Sequence, residues 1–166
     1  MTRRKATILV LAFILGLTAC FGASGEDDLD PVWVLCQPDS YVNIRERPNK
    51  QSARAGYAEC GDRFLTDGKI RNGFLHVYAS VEAGEGWIKT GYLVWTEPEK
   101  VFETRRIESD GRVNARRTIG GERRCWLKSG EEIKVYWMAD WAVTNRGFVK
   151  TEYISQEGEK YESAED

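Results

Sequence analysis

The sequence predicts an all-β chain, two small β modules in tandem behind an N-terminal export segment. Three observations carry that expectation. From Pro31 onward the apolar residues alternate with period two, in runs too short and too often broken for helices. An ordered set of sequence blocks occurs twice. The one long apolar run lies at the N-terminus, behind a basic start.

The first element is residues 1–19. Arg3, Arg4 and Lys5 precede an apolar run from Ala6 to Leu17. About a dozen residues at ~1.5 Å each cannot cross a hydrocarbon core of ~30 Å. That length suits the apolar region of a secretory signal peptide. A buried core helix is the competing reading, but nothing amphipathic or capped surrounds the run. Leu17-Thr18-Ala19-Cys20 then resembles the lipobox of bacterial lipoproteins. Small residues before the Cys let an extended peptide enter a protease cleft, and the thiol supplies the nucleophile for lipid. The resemblance implies a mature chain beginning at Cys20, diacylated on sulfur and anchored to the outer face of a bacterial membrane. Two acyl chains hold where one would be marginal. Ordinary cleavage near Ala23-Ser24-Gly25 would instead release a secreted protein without Cys20. Residues 20–30 are Gly-rich and acidic and read as a flexible tether.

The strand candidates follow: Val32 to Leu35, Val42 to Arg45, Gly73 to Tyr78 and Gly86 to Ile88. Their blocks return in the same order. VNIRERP (Val42 to Pro48), ECGDRF (Glu59 to Phe64), NGFLHV (Asn72 to Val77) and GWIKTGYL (Gly86 to Leu93) are matched by four later blocks. These are VNARRT (Val113 to Thr118), KSGEEI (Lys128 to Ile133), DWAVT (Asp140 to Thr144) and GFVKTEYI (Gly147 to Ile154). NGFLHV and DWAVT align only to within one residue. The modules are therefore placed at 31–95 and 101–155, with 96–100 as linker around Pro98. Residues 156–166, mostly Glu, Lys and small residues, read as a disordered acidic tail. Modules of ~60 residues have small cores, to which Phe74, Trp87, Trp126, Trp141 and Phe148 are the bulky candidate contributors.

This block order resembles the bacterial SH3-like domain. The first copy carries Asn43, Arg45, Pro48, Gly61, Asp62, Gly86, Trp87, Tyr92 and Leu93 at the family's places, with Phe74 for the usual Trp. The second carries Asn114, Arg116, Gly130, Glu131, Trp141, Gly147, Phe148, Tyr153 and Ile154, with Thr118 for the expected Pro. The resemblance implies two small SH3-like β-barrels. Asn suits a sharp bend through φ > 0 or a bond to its own backbone, and Gly before an acid suits a tight turn.

Charge excludes one class of partner. The chain has 24 basic and 26 acidic residues, net −2; without the export segment the balance is about 21 against 26, roughly −5. Nucleic-acid binders need clustered Lys and Arg. Cys36, Cys60 and Cys125 form no C-x-x-C pair, and a single His cannot complete a zinc site, so no metal or cofactor is expected. Cys36 and Cys60 are a candidate disulfide closing a loop of about 25 residues, for roughly 3 kcal/mol in the chain-entropy account. Buried free thiols are the competing reading. His76, on a strand with Phe74 and Tyr78, raises the question of a Cys-His peptidase, but such an enzyme needs a domain of its own. No catalytic residue is assigned, and the chain is read as a non-enzyme.

The SH3-like resemblance implies recognition of cell-wall peptides or peptidoglycan, a step that rests on analogy. Tyr41, Asn43, Arg45, Trp87 and Tyr92 are the candidate ligand contacts. Strand-end or core packing competes for Trp87 and Tyr92. Arg45 and Arg47 alternate with Ile44, should face solvent, and would serve equally to keep the strand soluble. The competing function is docking or scaffolding in an envelope, secretion or conjugation complex without wall affinity, toward which Thr118 in place of Pro points. Wall binding predicts a concave aromatic groove, and scaffolding predicts a flat apolar patch or open sheet edge.

Overall fold

The structure, a computed structural model, describes residues 29–78 and 84–160. The export segment, Cys20, residues 21–28 of the tether and 161–166 of the tail lie outside the described residues. The described residues are all-β, in two antiparallel sheets with no α-helix.

The first sheet contains β1 (Asp30–Val34), β2 (Val42–Arg45), β3 (Arg54–Ala58), β4 (Arg63–Thr66), β5 (Ile70–Arg71), β6 (Phe74–Tyr78), β7 (Glu85–Lys89) and β8 (Leu93–Val94). They run in the order β3-β2-β7-β6-β4-β1-β8, with β5 paired to β6. The second sheet contains β9 (Glu99–Arg106), β10 (Val113–Arg116), β11 (Arg123–Leu127), β12 (Glu132–Met138), β13 (Trp141–Thr144), β14 (Gly147–Lys150) and β15 (Glu159–Lys160). Its order, β11-β10-β14-β13-β12-β9-β15, repeats the first position for position. A short 3-10 turn follows β7 and β14 alike, at Thr90–Tyr92 and Thr151–Tyr153. Register settles the alignment of the repeat: Phe74 faces Lys89 as Trp141 faces Lys150, and His76 faces Trp87 as Val143 faces Phe148.

Alternation builds both cores. In β1, Val32 and Val34 are buried while Pro31 and Trp33 look the other way. With Leu75, Val77 and Ile88 they fill the first core. Ile107, Leu127, Ile133, Val135 and Val149 fill the second. The Gly-acid turns are built alike: Asp62 Oδ2 accepts from the Glu59 N–H at 2.8 Å, and Glu131 Oε2 from the Lys128 N–H at 3.1 Å. Gly147 has φ 123°, and a Cβ there would run into the Arg116 carbonyl, so the Gly of the Gly-Phe block is a requirement of close strand approach.

A third apolar cluster joins the modules. Leu35 and Val94 of the first module bury against Val143 and Phe148 of the second, flanked by Trp33, Tyr92 and Trp141. The Ile119 N–H donates to Gly91 O at 2.9 Å. A Cβ on Gly91 would lie 3.0 Å from Thr118 Oγ1, and one on Gly61 would lie 2.9 Å from the Trp137 ring. Thr118, the departure from the expected Pro, therefore packs at the seam.

Several expectations need correction. The barrels are not closed: β3 and β8 end one sheet and β11 and β15 the other, unpaired with each other. Terminal strands of two residues have too few ladder groups to bridge the gap. Trp126 is not core but 44% exposed, because it alternates with Cys125 and Leu127; the Arg123 guanidinium stacks 4.1 Å from its ring. Trp87 and Trp141 are half-buried, whereas Phe74 and Phe148 are buried as expected, among Val, Ile and Leu. Asn43 and Asn114 lie within β2 and β10 and neither has positive φ. The turn-building Asn is Asn49, whose Oδ1 accepts from the Gln51 and Ser52 N–H groups at 3.0 and 2.6 Å. β9 begins at Glu99, inside the expected linker. Glu159 and Lys160 pair with β9 inside the expected disordered tail, because β9 offers them an open edge.

Candidate functional site

Residues of β2 and its surroundings form a groove of about 140 Å³, lined by Tyr41, Val42, Asn43, Arg45, Lys50, Phe74, Lys89 and Tyr92. β2 accounts for the placement. Val42 turns into the core, so Asn43 and Arg45 turn outward. Tyr41, just ahead of the strand, is 57% exposed. Tyr92 comes from the 3-10 turn after β7. Four of the five residues nominated from sequence thus meet in one concavity. Arg45, Lys50 and Lys89 lie around it with no carboxylate among the lining residues, so the groove is basic in an otherwise acidic chain.

Arg45 is half-buried rather than solvent-facing, because its Nη1 donates to Ser52 O at 2.9 Å and ties down the loop after β2. Arg116 does the same in the second module, donating to Gly121 O at 2.6 Å. Arg47, in contrast, is exposed as expected. Trp87 stands apart from the groove. It is register partner to both Arg45 and His76, and its ring lies 4.8 Å from the His76 ring.

A larger cleft of about 430 Å³ opens between the modules and shares Tyr41 with the groove. Gln37, Asp39, Tyr57 and Glu59 form the first-module wall; Lys100, Phe102 and Trp137 form the other. Phe102 has φ 48°, a conformation rare for bulky residues, while Asp39 has φ 57°, which Asp adopts readily in a turn. Phe102 lies in a bulge: Glu103 faces Val135 and Lys100 faces Trp137, so Val101 and Phe102 together oppose Tyr136.

Two clusters of titratable groups lie near these surfaces. Cys36 and Cys60 are free thiols, the first buried and the second half-buried beside the cleft. The Cys36 N–H donates to Cys60 Sγ at 3.2 Å. The Cys60 thiol, hydrogen-bonded to the Cys36 sulfur, draws the Cys36 pKa below the ordinary thiol value against the effect of burial. The same bond, together with burial, pushes Cys60 up. Cys125 stands alone, its thiol 3.9 Å from Arg146 O.

The second cluster surrounds Asp67. Its Oδ2 lies 2.7 Å from Lys69 Nζ, 3.0 Å from the donating Tyr78 hydroxyl and 3.4 Å from His76 Nδ1, while His76 Nε2 lies 3.6 Å from Glu85. Partial burial raises the Asp67 pKa, but the bonds from Lys69, Tyr78 and His76 outweigh it and hold the carboxyl well below the usual range. A depressed folded pKa means that the stabilisation is complete above the unfolded value near ~3.9 and is lost as pH falls through the folded one. Urea midpoints should therefore drop from about pH 5 to about pH 2, and less steeply in Asp67→Asn. An identical drop in the variant would assign the loss to other carboxylates.

No protein-family model and no curated protein matches the chain. Among solved structures, it is similar to NlpC1 from Trichomonas vaginalis, with 11% identity and a TM-score of 0.36 over 86% of this chain and 51% of that one. NlpC2 from the same organism gives 15% identity and a TM-score of 0.36 over 83% and 50%. The chain spans about half the length of each. A likeness at this level assigns no function.

Sequence reading missed Lys50, Phe74 and Lys89 in the groove and nearly all of the cleft. Tyr57 was the one accessible signal there, since it alternates with small residues in R-A-G-Y-A and pairs with Asn43. Phe102 and Trp137 enter only because the modules dock, which no local pattern encodes.

Proposed function

We propose that this is a non-catalytic, lipid-anchored envelope protein that binds a cell-wall peptide through the outer face of its first module, an SH3-like domain. The convergence of Tyr41, Asn43, Arg45 and Tyr92 on one groove supports the reading. Arg45, Lys50 and Lys89 complement the carboxylates of a peptide ligand, and the Tyr41 ring offers a platform for its apolar parts. A binding role without chemistry fits the surroundings of His76, whose two ring nitrogens face the carboxylates of Asp67 and Glu85 rather than a thiol or hydroxyl. The docking alternative draws on the exposed Ile70 and Trp95, at 60% and 53%.

Co-sedimentation with purified peptidoglycan sacculi, scored against an unrelated acidic protein, decides between them. Saturable pelleting is expected, falling about tenfold in Tyr41→Ala or Lys89→Ala and persisting in Trp87→Phe, which lies outside the groove. Pelleting no better than the control, across several wall types, would overturn wall binding and favour a protein partner found by crosslinking at the membrane.

A further inference from the structure

The cleft between the modules shows chemistry that the basic groove lacks. The carboxylates of Asp39 and Glu59 line it, and neither has an ion-pair partner among the described residues. Beside them stand Tyr41 and Tyr57, 57% and 64% exposed, with ring centroids 5.8 Å apart and planes tilted by 59°. Two open aromatic faces next to free carboxylates form a recognition surface for an alkylammonium group, since ring quadrupole and carboxylate both attract the cation. The opposite wall already shows this preference: Lys100 Nζ lies 4.9 Å from the Phe102 ring centre. That ammonium occupies the Phe102 side and leaves the Tyr41 and Tyr57 side to an incoming cation.

The wall opposite the tyrosines is shaped by the Phe102 bulge, whose φ of 48° is rare for a bulky residue and falls where the two modules face each other.

We propose that the inter-module cleft binds a primary ammonium group on a peptide side chain, with Asp39 and Glu59 as its counter-ions and Tyr41 and Tyr57 as its aromatic faces. This rests on the reading of the ligand as a peptide. Tyr41 belongs to both concavities, so one bipolar ligand can place a carboxylate by Arg45, Lys50 and Lys89 and its ammonium in the cleft.

The test is an NMR titration of the full processed chain with acetyl-Ala-Lys-Ala bearing a free C-terminal carboxylate, and with the same peptide acetylated on the lysine Nε. Saturable shifts of the Tyr57 ring and Trp137 indole signals are expected for the amine, with affinity about tenfold weaker for the acetylated peptide. The isosteric double variant Asp39→Asn/Glu59→Gln should abolish that difference while leaving the rest of the spectrum unchanged. Equal affinity for the two peptides, no saturable shift with the amine, or an undiminished difference in the double variant would each overturn the proposal. If sacculi still pellet with the wild-type chain in those cases, wall binding stands and only the ammonium site fails.

Discussion

Phe148→Ala is expected to destabilise the chain by about 3–5 kcal/mol, the range for deleting a buried aromatic ring from a packed core. Phe148 is 1% exposed and is the largest of the fully buried side chains. It packs in the cluster that joins the modules, with Leu35, Val94 and Val143, and its ring centre is 6.4 Å from that of Tyr92. The lost ring thus leaves a cavity at the seam that the two modules share. Modules of this size hold little stability in reserve, so the variant should also replace one cooperative urea transition with two. Tryptophan fluorescence and circular dichroism report it, because Trp33, Trp137 and Trp141 flank the cluster. A loss under about 1 kcal/mol with one transition retained would mean that the seam contributes little and that each module is stable alone.

Oxidation of the Cys36–Cys60 pair is expected to stabilise the chain by roughly 3 kcal/mol, the chain-entropy value for a loop of about 25 residues. Each thiol loses a proton, the pair gives up two electrons, and one S–S bond forms, while a disulfide oxidant such as oxidised glutathione is reduced to two thiols. Cys60, which lines the cleft, is the thiol open to the oxidant, and the buried Cys36 beside it then closes the bridge. The gain is read as a higher urea midpoint that dithiothreitol reverses. Alkylation should then find Cys125 reactive and Cys36 and Cys60 protected. In Cys60→Ser the oxidant should leave the midpoint unchanged. If Cys36 and Cys60 both stay open to alkylation under oxidised glutathione, the bridge does not form and the pair persists as packed thiols.

The sheets were legible in the sequence where local pattern and burial agree. Val32 and Val34 alternate with Pro31 and Trp33 in the text and in space, and the repeated Gly-aromatic blocks predicted β7 and β14. Legibility failed where a side chain's surroundings come from another part of the chain. Trp126 reads as core by size, but strand parity puts it outward under Arg123. Arg45 reads as a solvated charge, but the loop returning to Ser52 O captures it. Asn43 and Tyr92 reach the groove because they stand on elements whose facing is fixed by alternation or by a short turn. Phe102 and Trp137 carry no such local signal, since a bulge and a docked module aim them into the cleft. Trp87 lies outside the groove for the converse reason: its partner His76 is eleven residues back across a hairpin, and ring-to-ring packing leaves no periodic trace.

The joint between the modules is head to tail, and such contacts repeat without limit unless the ends differ. Here they differ. The Leu35 and Glu108 N–H groups donate to corresponding carbonyls, those of Tyr92 and Tyr153, so Leu35 at the joint is matched by Glu108 on the far module. Trp33, which faces Arg63, is matched by Arg106, which faces Glu132. On the other side of the joint, Val143 and Phe148 are matched by His76 and Trp87, and at that face Asp67 and Glu85 flank His76. Each free end of the pair has charge or hydrogen-bonding groups where the buried joint has hydrocarbon. The two modules are therefore alike in fold and unlike in surface: the positions that meet in hydrocarbon at the joint have polar counterparts at the matched outer positions, so the two copies are not interchangeable in this pairing.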